Sequence, residues 1–131
     1  MPPEYLIDAS ALYPLILRLR EKLILRKELF SILDLTIYEV GNTLLKEWRK
    51  GRIRDLGKAV LLFEEMLTQL KKLSIESLEE VLSLAAEKKL TFYDAAYLHV
   101  AEKQGLKLIT EDREIITAYP KAIRTDQLTI R

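Results

Sequence analysis

The chain has 131 residues, a formal net charge of +1 and no cysteine. This length builds one domain with a real core and is too short for two, and the lack of thiols excludes disulfides, thiolate zinc sites and cysteine nucleophiles. No apolar run approaches the roughly 18 residues of a membrane span, and Met1-Pro-Pro-Glu-Tyr5 lacks the basic start and apolar stretch of a signal peptide, so a cytoplasmic location is expected.

Tyr5-Leu6-Ile7 reads as a short strand with Asp8 at its exit. Ser10 is placed to N-cap a helix carrying Leu12, Leu15, Ile16 and Leu19. Pro14 then belongs in that helix's first turn, or delays its start, because a later proline removes a backbone donor. Arg18 to Ser31 is basic and apolar and matches no assignable element. Ile32 to Leu35 reads as a second strand, after which Thr36 caps a helix through Ile37, Val40, Leu44 and Trp48 that Gly51 can end. A long helix from Leu56 to about Leu73 shows an inward stripe of Leu56, Ala59, Val60, Phe63, Leu67 and Leu70, leaving Leu61 opposite and Leu62 on its flank. Ser77 opens another helix through Val81 and Ala85. Thr91 opens the next, with Ala95, Leu98 and Ala101 inward and Gly105 as its stop. Leu106 to Thr110 is a third strand and Ala122 to Arg124 a fourth. The alternation predicts a single α/β domain over residues 1–131, with a mostly parallel sheet flanked by helices.

Asp8, Glu39, Asp94 and Asp112 each fall just past a strand-like run or in the first turn of the following helix. In open α/β sheets the crevice beyond the carboxyl ends of the strands is where ligands bind. Carboxylates gathered there repel, each pair near 4 Å by on the order of 4 kcal/mol at an effective dielectric of about 20. Either they do not meet, or a divalent cation holds them together. Each acid also has a plainer reading. Thr36-Ile-Tyr-Glu39 and Thr91-Phe-Tyr-Asp94 fit a capping box, as does Ser77-Leu-Glu-Glu80, and Asp112 fits the N-cap of a short helix holding Ile115 and Ile116. The two readings are compatible, since the helix dipole already favours an acid in a first turn.

Four segments, Leu6-Ile-Asp-Ala-Ser10, Thr36-Ile-Tyr-Glu-Val-Gly-Asn42, Thr91-Phe-Tyr-Asp-Ala-Ala-Tyr-Leu98 and Leu108-Ile-Thr-Glu-Asp112, occur in an order and spacing that resembles the PIN-domain ribonucleases over nearly the whole chain. With the small size, they look most like the VapC-type toxins of toxin–antitoxin pairs. The resemblance implies a three-layer PIN-like domain. It implies Asp8, Glu39, Asp94 and Asp112 as catalytic ligands of Mg²⁺ or Mn²⁺, with Ser10, Asn42 and Thr110 in support. It also implies an RNA substrate, a small antitoxin partner, and hydrolysis by water that leaves a 5′-phosphate and a 3′-hydroxyl. Glu111 beside Asp112 leaves two candidates for the fourth ligand.

An acidic pocket repels RNA, so basic flanks are needed to hold the backbone. Lys46, Arg49, Lys50, Arg52 and Arg54 form the densest basic stretch, with Lys58 beyond it, and Arg113 stands beside Asp112. A solvated helix face is the plainer reading of that run. His99 lies five residues after Asp94, on another helix face, and receives no catalytic role. Leu61 and Leu62 beyond the inward stripe suggest a homodimer. Four glycines form neither a P-loop nor a Gly-x-Gly-x-x-Gly, and Ser10 stands where a haloacid-dehalogenase phosphatase needs its second Asp. Two alternatives stay open: a catalytically silent PIN fold acting as a binding module, and a PIN nuclease of ribosomal RNA maturation.

Overall fold

Successive residues of a strand face opposite ways, and here both faces of the sheet meet apolar layers. The computed structural model describes residues 2–130. Its five strands are β1 (Tyr5–Ile7), β2 (Phe30–Leu33), β3 (Lys71–Leu73), β4 (Lys107–Ile109) and β5 (Ala122–Ile123). They lie in the order β3-β2-β1-β4-β5, with every neighbouring pair parallel. The helices are α1 (Ala9–Leu19), α2 (Glu21–Leu25), α3 (Asp34–Arg49), α4 (Leu56–Gln69), α5 (Leu78–Lys88), α6 (Phe92–Gln104) and α7 (Arg113–Ala118). Ile7, Phe30, Ile32 and Ile109 pack on one side with α1 to α4. Their neighbours Leu6, Leu33 and Leu108 pack on the other side with α5 to α7. The result is a three-layer α/β domain with a core on each face of an all-parallel sheet. Among the described residues no helix is long and apolar enough to cross a membrane.

The chain builds β1, β2 and β3 outward in one direction, then returns to place β4 on the other side of β1. The strand order therefore reverses between β1 and β4, and the crevice at their carboxyl ends is where such a fold binds ligands. Leu6 pairs with Leu108 and Ile7 with Ile109, and the Asp8 N–H donates to the Ile109 carbonyl at 3.1 Å. This register brings Asp8 level with Thr110.

Several boundaries differ from those expected. Asp8, not Ser10, caps α1: its Oδ1 accepts from the Ala11 N–H at 3.0 Å. Pro14 is the sixth residue of α1, deeper than its chemistry suggests. The donor it lacks falls opposite the carbonyl of solvent-exposed Ser10, where water is available. The second strand runs over Phe30–Leu33, which are buried on both faces, and α3 starts at Asp34. Thr36 is consequently the third residue of α3 rather than its cap. Its hydroxyl accepts from the Leu33 N–H at 3.0 Å.

The long helix stops at Gln69, because Leu70 turns extended and Lys71–Leu73 pairs with β2. Lys-Lys-Leu has little strand propensity, but lysines suit a sheet edge because they discourage pairing with another chain. Arg18 to Ser31 holds the end of α1, then α2 and a 3-10 turn at Lys27–Leu29, and enters β2. On α4, Val60 is 42% exposed and Met66 takes a core position in its stead; Leu61 is 69% exposed, whereas Leu62 packs against the core.

Candidate active site at the carboxyl ends of β1 and β4

Among the described residues, Asp8, Ser31, Thr36 and Thr110 are the buried polar side chains. Two of these four, Asp8 and Thr110, belong to one constellation. Asp8 is only 3% exposed, and its carboxylate is held from both sides. Ser10 donates to Oδ1 at 2.6 Å and Thr110 donates to Oδ2 at 2.5 Å. The same two hydroxyls accept from the loop after β4, Ser10 from the Glu111 N–H at 3.0 Å and Thr110 from the Asp112 N–H at 2.9 Å. Each hydroxyl thus uses its proton on Asp8 and its lone pairs on the loop after β4. Asp8 and Asp112 are thereby fixed relative to one another.

Glu39 is held by a second chain of hydrogen bonds, reaching from α3 to α6. Tyr97 is 1% exposed, and its hydroxyl donates to Glu39 Oε1 at 2.8 Å. That hydroxyl's proton is committed, so the Thr36 hydroxyl, 2.7 Å away, donates to the Tyr97 oxygen while accepting from the Leu33 N–H. Asp94 sits in the first turn of α6, which Thr91 caps by accepting the Asp94 N–H at 3.1 Å. Asp112 caps α7 by accepting the Glu114 N–H at 2.8 Å. The capping readings of Asp94's helix and of Asp112 therefore hold together with their place in the site.

One carboxylate oxygen from each of Asp94, Asp112 and Glu114 lies within 4.8 Å of the others. Glu114 enters the site two residues beyond Asp112, a position that no periodicity singled out. Glu111 is drawn away, because its Oε1 accepts the Thr125 N–H at 2.8 Å. Of the two neighbouring acids, Asp112 is the one in the cluster. Tyr97 falls within the segment Thr91 to Leu98, and its position three residues after Asp94 on α6 is the signal that places both on one helix face. Asn42 is exposed on α3, three residues beyond Glu39. His99 lies apart, with Nε2 at 3.4 Å from Glu80.

The acids feel one another. Burial, partly opposed by the Ser10, Thr110 and Ala11 donors, pushes the Asp8 carboxyl up to about 6, and the Glu39 charge adds to the rise. Asp94 is likewise pushed up to about 6, first by burial and then by Asp112 and Asp8. Glu39 is raised by burial and lowered by its Tyr97 donor. These couplings link Glu39 to Asp8, Asp8 to Asp94, and Asp94 to Asp112. The donors are oxygens throughout, the charge is uncompensated, and both features fit a hard divalent cation such as Mg²⁺ or Mn²⁺. Asp94, Asp112 and Glu114 are the acids whose oxygens lie close enough together to share one ion, and Asp8 and Glu39 stand outside that group, coupled to it through their charge.

A raised carboxyl makes the metal-free fold bind protons that the unfolded chain has already released. The stability from Asp8 and Asp94 is complete below about pH 4 and is lost as the pH rises through about 6. Asp94→Asn removes one such group. In EDTA its melting temperature, taken relative to the parent, should climb from pH 4 to pH 7, and a flat difference would contradict the shift. A second prediction concerns the buried hydroxyls. Tyr97→Phe leaves Glu39 and Thr36 without their shared partner and should cost about 1–3 kcal/mol of unfolding free energy. Thr36→Val should cost a similar amount, and the double variant clearly less than their sum. Additive losses would mean that the chain does not act as a unit.

The chain matches the PIN domain family over residues 5–121. It is 47% identical to "Exonuclease VapC9" of Pyrobaculum aerophilum, covering 100% of this chain and 97% of that protein. It is 36% identical to "Ribonuclease VapC3" of the same organism, over 89% of this chain and 95% of that protein. The crystal structure of PAE2754 from Pyrobaculum aerophilum superposes with a TM-score of 0.88 at 47% identity, covering 96% of this chain and 93% of the other. A toxin–antitoxin complex from Klebsiella pneumoniae has a TM-score of 0.62 at 21% identity, over 91% of this chain and 95% of that one, a likeness of fold alone. The shared fold, the match over most of the chain and the two curated relatives agree with the site just described: this protein belongs to the PIN-domain family, and within it to the VapC type.

Proposed function

We propose that the chain is a metal-dependent endoribonuclease, the toxin of a toxin–antitoxin pair, that hydrolyses RNA with water as the nucleophile. The observation that supports this reading is the close group of Asp94, Asp112 and Glu114 carboxylates beside the switch point of the sheet, with Asp8 and Glu39 coupled to it through their charge. A bound Mg²⁺ or Mn²⁺ would lower the pKa of a coordinated water and offset charge on the scissile phosphate. The remaining work falls to the chain. Ser10 and Thr110 hold Asp8 rigid, Tyr97 orients Glu39, and Asp94 and Asp112 complete an oxygen-lined face open to substrate. Asn42 stands beside Glu39, where an amide can donate to a phosphate oxygen. No histidine base is needed, in keeping with His99 standing apart from the cluster, near Glu80.

Backbone contact is assigned to Lys46, Arg49, Lys50, Arg52, Arg54 and Arg113, with unequal weight. Arg113 is exposed next to Asp112. Lys46 is seven residues along α3 from Glu39, about 10 Å at 1.5 Å per residue. Arg52 also pairs with Glu47 at 3.2 Å. The stretch therefore lies towards the tip of the α3–α4 hairpin and serves RNA extending well beyond the cut. A small antitoxin could silence the enzyme by inserting an arginine or lysine among the carboxylates, since such pairs are charge-assisted and an arginine can be bidentate.

The decisive experiment uses linear and circular RNA with Mg²⁺ or Mn²⁺. Cleavage of both forms is expected, with loss in EDTA. Failure on circles alone would make the enzyme an exonuclease, the mode named for one relative. Asp94→Asn should reduce cleavage more than about 100-fold, beyond the 10–100-fold typical of residues one step from a metal, with Glu80→Gln unchanged. Full activity in the Asn variant would sink the assignment, and no metal-dependent cleavage by the parent would favour a silent binding module. Exposed Leu61 motivates the homodimer. Light scattering should show a dimer that Leu61→Glu weakens, and a monomeric parent would refute it.

A further inference from the structure

Beyond the acidic cluster, on the side away from the α3–α4 hairpin, a groove of about 560 Å³ runs between the end of α5 and α7. This is within the 300–1,000 Å³ range of ligand-sized sites. Lys88, Lys89 and Leu90 line it together with Arg113, Glu114 and Glu87. Both walls lead into the proposed catalytic site. Leu90 precedes Thr91, the cap of the helix that carries Asp94, and Arg113 directly follows Asp112. The groove abuts the acidic cluster, with Glu114 common to both.

The charges point to an anion. Lys88, Lys89 and Arg113 are exposed, and among the described residues none is held in a side-chain ion pair. Lys103 and Lys107, by contrast, are engaged with Glu80 and Glu4. Two acids oppose them. Glu114 already faces Asp94 and Asp112, which leaves Glu87 as the opposing charge away from the cluster. The backbone adds a second observation. Helices α3 and α6 end in glycine at positive φ, Gly51 at 78° and Gly105 at 66°. Helix α5 ends the same way at Lys89, with φ 58°. A lysine there is strained where glycine is not, and such outliers concentrate at functional sites. Of the two non-glycine residues at positive φ among the described residues, Arg20 and Lys89, Lys89 is the one that lines this groove.

We propose that this groove is a second RNA-backbone site, in which Lys88 and Lys89, with Arg113, hold phosphates of the strand flanking the cut, opposite the α3–α4 flank. The proposal rests on the nuclease reading and adds residues that reading does not use.

The test is fluorescence anisotropy with a labelled oligoribonucleotide in Mg²⁺, using the uncleaving Asp94→Asn protein as parent. Lys88→Gln with Lys89→Gly removes both charges and relaxes the backbone. It should weaken binding roughly tenfold and reduce the slope of log K against log salt by about 1.4, that is, about 0.7 for each of two phosphates. Lys88→Arg with Lys89→Arg should retain the parent's affinity. Lys22→Gln with Lys27→Gln, on α2 and the turn after it, makes the same change in net charge elsewhere and should have little effect. Equal losses in the two neutralised pairs, or no loss in the groove pair, overturn the groove. If RNA is cleaved by the native protein while groove variants bind normally, only this proposal falls. If the parent binds no RNA and the native protein cleaves none, the nuclease reading falls with it.

Discussion

Burial of the Asp8 carboxylate at the end of β1 is the constraint around which the rest of the site is arranged. A buried acid is costly unless it is hydrogen-bonded. Here the compensation comes from two hydroxyls that are themselves tied to the exit of β4. The parallel pairing of β1 with β4 is what makes this possible, since it sets Thr110 level with Asp8. Had the two strands slipped by one residue, Thr110 would face the opposite layer and Asp8 would lose a donor. Fold and site are thus coupled through a few hydrogen bonds across one strand pair.

The Glu39 arm solves the same problem differently. Its partner Tyr97 is buried in the layer formed by α5 to α7, and Thr36 relays the bond back to the end of β2. The tyrosine ring contributes to the core while its hydroxyl serves the site, the usual division for a buried tyrosine. Glu39 therefore points into the crevice because α6 packs where it does. A change in the packing of α6 would be felt at Glu39 as well as at Asp94, although the two acids lie on different helices.

The cluster sets stability against function. Raised carboxyls at Asp8, Glu39 and Asp94 mean that the protein tolerates unfavourable electrostatics in the absence of a cation. Such sites are places where stability is given up for activity. The apolar cores on both faces of the sheet supply the compensation, with fully buried Leu6, Ile7, Leu12, Phe30, Ile32 and Leu108 surrounding the strand ends that carry the acids.

Much of this could be read from the chain alone. Short apolar runs followed by Asp8, Glu39 and Asp112 pointed to the parallel sheet, because strand ends and helix starts are local events with local signals, while Asp94 stood out by its helix start and by the family resemblance. Ser77, Thr91 and Asp112 were recognisable as caps, and Gly51 and Gly105 as stops, for the same reason. What the chain alone could not show depends on distance in space. Lys71–Leu73 becomes a strand only because β2 offers an unpaired edge. Asp8 displaces Ser10 as a cap because Ser10 is needed by both Asp8 and the loop at Glu111. Glu111 and Asp112 are neighbours of the same charge, and only the Thr125 N–H decides which one turns away from the cluster. Tyr97, Glu114 and the groove at Lys88 and Lys89 acquire meaning from what stands opposite them. Residue type and spacing determine which groups are available; tertiary packing determines which of them meet, because hydrogen bonds and like-charge repulsion act over a few ångströms and not along the sequence.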